Sequence, residues 1–125
     1  MPHSCGRYSV KGFLEVKSDD AVRLFEHFNK AIQDCGPVKL APAKTRIGFQ
    51  VRMIFAAVNK LNDQGLEAHV VLTRRLNSPR FKRIDTMSNK CYVHHFKIAS
   101  INEIDEEVRD WLREAYLVGT KKHLF

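Results

Sequence analysis

Five cationic side chains fall within the twelve residues Leu72-Thr-Arg-Arg-Leu-Asn-Ser-Pro-Arg-Phe-Lys-Arg83. Between Gly36 and Ala99 only Asp63, Glu67 and Asp85 supply carboxylates. Arginine at this density points to anion recognition, because the planar guanidinium meets a phosphate or carboxylate with two parallel hydrogen bonds. The candidate anion-binding residues are Arg46, Arg52, Arg74, Arg75, Arg80 and Arg83, with His94 beside them. Neither Gly-x-x-x-x-Gly-Lys nor Gly-x-Gly-x-x-Gly occurs, so an anion would be held by side chains rather than by a glycine-rich cradle. Phe81, between Arg80 and Lys82, offers a base-stacking platform within phosphate-binding charge. The preferred reading makes it the first core residue of a strand.

Other chemistries find less material. Nucleophilic catalysis needs a nucleophile, a base and an orienting group, and no Gly-x-Ser-x-Gly, Ser-x-x-Lys or Cys/His signature is present. An enzyme built on Arg46, His94 and Tyr116 therefore ranks last, and the reading leans away from catalysis. His94 and His95 are adjacent, so on a strand they face opposite ways and cannot chelate one ion together. One of them would have to join His69 or Asp85 across a sheet. His94 shares its face with Tyr92, Phe96 and Ile98 and reads as a hydrogen-bonded histidine at the edge of the core. No metal site and no cofactor is expected. No helix-turn-helix, zinc finger, KH loop or RRM aromatic motif is found, and neither expected helix is basic enough to read a major groove.

These residues must be positioned by a helix, a sheet and a second helix. Ser18 caps the first helix, with Asp19 and Asp20 at the positive end of its dipole. Ala21, Leu24, Phe25, Phe28, Ala31, Ile32 and Cys35 make one apolar stripe, and Gly36-Pro37 ends it. The period then changes to two. Strands are expected over 38–40, 45–50, 53–61, 66–73, 81–87 and 91–98, with Asn62-Asp-Gln-Gly65 as a hairpin turn. The connections look too short for parallel crossovers, which predicts an antiparallel meander. Ser100-Ile-Asn-Glu103 is a capping-box signature before a second helix whose stripe is Ile104, Val108, Trp111, Leu112 and Ala115, with Gly119 at its end. The fold class is α+β: an N-terminal helix, an antiparallel sheet of five or six strands and a C-terminal helix, both helices on one sheet face. The other face would be open. By strand parity Arg46, His69, Thr73 and Arg75 share that face, provided the registers hold. The bland alternative is that these arginines only keep an exposed sheet soluble and guard its edges.

At 125 residues, 44% apolar and 28% charged, the chain suits one globular domain over 1–125, with loose tails at 1–9 and 120–125. Its net charge of +7 is uneven: residues 36–99 carry 12 Lys or Arg against 3 acids, while Glu103, Asp105, Glu106, Glu107, Asp110 and Glu114 crowd the second helix. Cys5, Cys35 and Cys91 are odd in number and form no Cys-x-x-Cys pair, which suggests free thiols in the cytoplasm. No membrane association is expected.

Several segments together resemble a known family: Lys44-Thr-Arg-Ile-Gly-Phe49, Arg52-Met-Ile-Phe-Ala-Ala-Val58, Leu72-Thr-Arg-Arg-Leu-Asn-Ser-Pro-Arg-Phe81, Tyr92-Val-His-His-Phe96 and Trp111-Leu-Arg-Glu-Ala-Tyr116 with Gly119. They are similar to an uncharacterised bacterial family of domains of unknown function, distantly YjbR-like. The resemblance spans about Val22 to Gly119 and implies helices packed on an antiparallel sheet. It gives no residue a role. The functional expectation is a small cytoplasmic binding module with a basic sheet face for nucleic acid or a phosphorylated small molecule. The alternative is a homodimeric or partner-binding domain, invited by Met53, Phe55, Leu61 or Val71 if they are exposed.

Overall fold

The structure, a computed structural model, describes residues 8–121. Most of the two expected tails, with Cys5, lies outside those residues. Among these residues three α-helices are present: α1 (Val10–Glu15), α2 (Asp19–Gln33) and α3 (Glu106–Gly119). Six strands lie between α2 and α3: β1 (Lys39–Pro42), β2 (Ile47–Gln50), β3 (Ile54–Asn62), β4 (Gly65–Leu72), β5 (Phe81–Ser88) and β6 (Cys91–Ile98). The α+β class is as expected. The helix α1 is an addition. Its six residues are too few to show a periodic stripe, and it is held by the Ser9 side chain accepting from the Gly12 amide.

α2 begins where Ser18 accepts from the Ala21 amide. Three residues past its end stands Gly36, whose amide donates to the Gln33 carbonyl and whose φ of +147° is open to glycine and strained for other residues. The second helix starts later than its sequence signature suggests. Ser100 and Glu103 cap only a 3-10 turn over Ile101–Glu103, and Asp105 caps α3 by accepting from the Val108 amide. Ser100 and Asp105 offer competing caps, and the first does not have to win.

Sheet pairing is antiparallel throughout, in the order β1-β2-β3-β4-β6-β5. This corrects the meander. β4 pairs with β6, and β5 lies outside β6 at the edge. β4 and β5 thus run the same way, and residues 73–80 carry the chain past β6. The short connection succeeds because it spans one intervening strand end and is tied down beneath the sheet. The amide of Leu76 donates to His94 Nε2 at 3.0 Å, and Arg80 donates to the Glu103 carbonyl at 2.9 Å.

Both long helices cover one face. Phe28 packs on Phe49 and Phe96, and Phe96 packs on Trp111 at 5.2 Å between ring centroids. Leu66, Ala68, Val70 and Leu72 of β4 point into this core, and each is at most 1% exposed. Each large side chain buried here contributes roughly 1.5–3 kcal/mol of transfer free energy. Alternation sends Glu67, His69 and Val71 to the other face, which no helix covers among the described residues.

Candidate functional site

The register places a row of polar side chains on the open face. His69 of β4 stands opposite His95 of β6, which in turn stands opposite Arg83 of β5. Glu67 lies between Lys60 of β3 and Lys97 of β6. A register shift between Val58 and Lys60 inserts Asn59 into β3. Its side-chain nitrogen donates to His69 Nδ1 at 2.8 Å, so the ring carries its proton on Nε2. Asn59, Glu67, His69, Arg83 and His95, with Arg46 just before β2 and Lys82 on β5, line a cleft of ≈390 Å³.

The charges inside the cleft are partly paired. Lys82 lies 3.7 Å from Glu67. Arg83 Nε meets Asp85 at 3.1 Å. Asp85 also accepts from His95 Nε2 at 3.0 Å. Arg83 Nη2 also lies 3.5 Å from His95 Nε2, but the shorter bond to Asp85 makes Nε2 the protonated nitrogen of the neutral ring and leaves Nδ1 without a partner among the described residues. No buried side-chain nitrogen or oxygen lacks a hydrogen bond among them, so the unpartnered His95 Nδ1 and His69 Nε2 both reach solvent. The two rings are 5.5 Å apart. Burial, then the positive charge of His95 and Arg46, pulls the His69 pKa down to about 4. His69 is a neutral hydrogen-bond donor at pH 7.

The structure distributes the anticipated residues unevenly. Arg46 and Arg83 enter the cleft together with His69, as parity suggested for Arg46 and His69. Thr73 and Arg75 do not join them; both are exposed beyond the end of β4, and Arg75 makes no ion pair among the described residues. Arg52 is exposed at the bend between β2 and β3, its amide bonded to the Gly119 carbonyl. Arg74 forms a bidentate pair with Glu114 of α3, at 3.0 and 2.9 Å. Arg80 lies over the Trp111 ring and bonds Asp105 and Glu107. The basic segment thus finds much of its anionic partner inside the molecule, in the acids that crowd the start and face of α3. Those acids serve the helix dipole and also clamp the crossover.

His94 is fully buried on the helix side, away from the cleft. Its Nδ1 donates to the Tyr92 carbonyl and its Nε2 accepts from Leu76, so both nitrogens are occupied, and burial lowers its pKa. It is a core histidine that pins the crossover and cannot share a pocket with Arg46. Phe81 is a core residue as preferred, 4.4 Å from Trp111 and 4.8 Å from His94 between ring centroids. Tyr116 packs on Phe55 and donates to the Pro37 carbonyl at 3.4 Å. Of the side chains that would have invited a partner, Phe55 and Leu61 are buried, while Met53 and Val71 are half-buried.

Sequence reasoning missed Asn59 and the convergence of His69, Asp85 and His95, and it counts Lys82 as charge beside Phe81 without making it a site residue. The sequence offers His95 only as one of two residues that could meet His69 or Asp85 across a sheet. The unrecognised signal was pairing: β5 had to lie outside β6 for Asp85 to reach His95. Among the described residues, no three of His, Cys, Asp and Glu are placed to hold a metal ion. Burial raises the pKa of the free thiols Cys35 and Cys91.

Fold and site define a six-stranded antiparallel α+β domain with helices on one face and a cationic, histidine-bearing cleft on the other. A family model described as Domain of unknown function (DUF5655) matches residues 10–119, and the chain belongs to that family. No curated protein and no solved structure matches it. Among the described residues, no helix is long and apolar enough to cross a membrane.

Proposed function

We propose that the domain is a binding module whose open sheet face takes an anionic ligand carrying phosphate, either nucleic acid or a phosphorylated small molecule. The observation that carries this reading is the cleft where Arg46, Lys82 and Arg83 line one open surface with the solvent-reaching Nε2–H of His69. A guanidinium beside the neutral His69 Nε2–H donor can bind a phosphoryl oxygen with directional bonds, whereas solvating arginines scatter. The Arg74 and Arg80 clamps play no part in it, since α3 already engages them.

Labelled single- and double-stranded oligonucleotides, titrated at two salt concentrations, test the nucleic-acid form. Binding should weaken as salt rises, and Arg46→Ala or Lys82→Ala should each lower the slope of log affinity against log salt by about 1. No binding at low salt to oligonucleotides, inorganic phosphate or a nucleoside phosphate ends the proposal. The partner-binding alternative has less support, because half of the apolar side chains that prompted it face the core. We also read the chain as a bacterial cytoplasmic protein distantly related to the YjbR-like domains, on its sequence segments and unpaired cysteines.

A further inference from the structure

The open-face cleft holds a general-base arrangement that binding alone does not require. His95 donates Nε2–H to Asp85 at 3.0 Å and presents Nδ1 to solvent. A carboxylate behind an imidazole in this way fixes the tautomer and stabilises the imidazolium formed when the ring accepts a proton. Arg83 Nε holds the other oxygen of that carboxylate at 3.1 Å. Opposite lies His69, an N–H donor fixed by Asn59, with Arg46 and Lys82 at the rim. The cleft therefore contains a base, its orienter and donors for a developing negative charge.

Among the described residues it has no free nucleophilic hydroxyl, thiol or amine. None of the residues lining it carries a hydroxyl or thiol, and its carboxylate Glu67 and amine Lys82 lie 3.7 Å apart as an ion pair. A reaction at this site must then be one in which the attacking group arrives with the substrate or from solvent. Among phosphate-bearing ligands that a cationic sheet face would take, RNA brings its own nucleophile: the 2′-hydroxyl adjacent to each phosphodiester.

Resting on the anion-binding reading above, we propose that this cleft cleaves single-stranded RNA by transesterification, with His95 as general base. The 2′-oxygen forms a bond to phosphorus as its proton passes to His95 Nδ1. The bond from phosphorus to the 5′-oxygen breaks, and the leaving oxygen takes a proton from water admitted by the open cleft. The hydroxide so formed recovers the proton from His95. The products are a 2′,3′-cyclic phosphate and a 5′-hydroxyl, with no change in oxidation state and no net proton. His69 Nε2–H, Arg46 and Lys82 stabilise the phosphoryl oxygens, and Asp85 is a positioning residue that acts through His95.

The test uses the whole chain and two labelled oligonucleotides of one sequence, one all-deoxy and one with a single internal ribonucleotide. The expected result is cleavage at the ribonucleotide alone, leaving a cyclic phosphate end, while the all-deoxy strand is bound intact. His95→Ala, purified identically and checked for fold by circular dichroism, should lose about 10²-fold or more in rate while binding persists. Asp85→Asn should slow cleavage at saturating oligonucleotide without changing Kd, a split that unfolding would not produce. Binding without cleavage, or equal cleavage by His95→Ala, overturns this proposal and leaves the anion-binding reading standing. Failure of both strands to bind at low salt removes the two together.

Discussion

Acidification should unfold this domain partly through one half-buried ring. The His69 pKa is lowered from 6.5 to about 4, first by burial and then by the charges of His95 and Arg46. The unfolded chain takes up a proton near pH 6.5 that the folded chain refuses until about pH 4. Between those values the unfolded state binds more protons, so stability rises with pH and is lost on acidification. At 1.36 kcal/mol for each tenfold change in proton affinity, the full gap corresponds to about 3 kcal/mol. His94 acts in the same direction, since burial lowers it too. Asp85 and Asp105 act elsewhere. Desolvation pushes both up, but hydrogen bonds from His95 to Asp85, and from Val108 and Arg80 to Asp105, bring them below 3.8. The stability they give is present above that value and lost only below it. Urea unfolding, followed by the fluorescence of the single tryptophan, Trp111, should show midpoints falling steadily between pH 6.5 and 4. His69→Gln should flatten that fall by its share. Equal slopes for the two proteins, or a His69 titration by NMR centred near 6.5, would refute the reasoning.

The two crossover arginines should behave differently. Arg80, 25% exposed and bonded to two carboxylates and a carbonyl, should cost about 2 kcal/mol when changed to methionine. Arg74, 59% exposed in a surface pair, should cost less than about 1 kcal/mol in the same urea titration. Gly36→Ala should destabilise by about 1–3 kcal/mol, because a methyl group there meets the Tyr116 hydroxyl and the backbone sits at φ +147°. For anion binding, Arg46→Ala should weaken affinity and Arg75→Ala should leave it unchanged, as measured by fluorescence anisotropy; equal losses would place the ligand outside the cleft.

Local patterns along the chain determined the element types. The three- and four-residue spacing from Ala21 to Ile32 can bury one stripe only as a helix, and the alternation from Leu66 to Leu72 can bury one face only as a strand. Those periods also placed Arg46 and His69 on the side away from the helices and Phe81 and His94 in the core. Charge counting read the 74–83 stretch as a surface waiting for a partner. It could not show that Glu114, Asp105 and Glu107 fold back onto it, because those contacts join residues 25–40 positions apart. Strand order lay equally out of reach. A short connection favours neighbouring antiparallel strands, and only the anchoring of Leu76 on His94 and of Arg80 on α3 makes the step past β6 stable. That step sets β5 at the sheet edge and brings Asp85 to His95. The side-chain types were written locally, but their meeting in one cleft depends on which strands pair, and pairing is decided by the energy of the whole packed sheet.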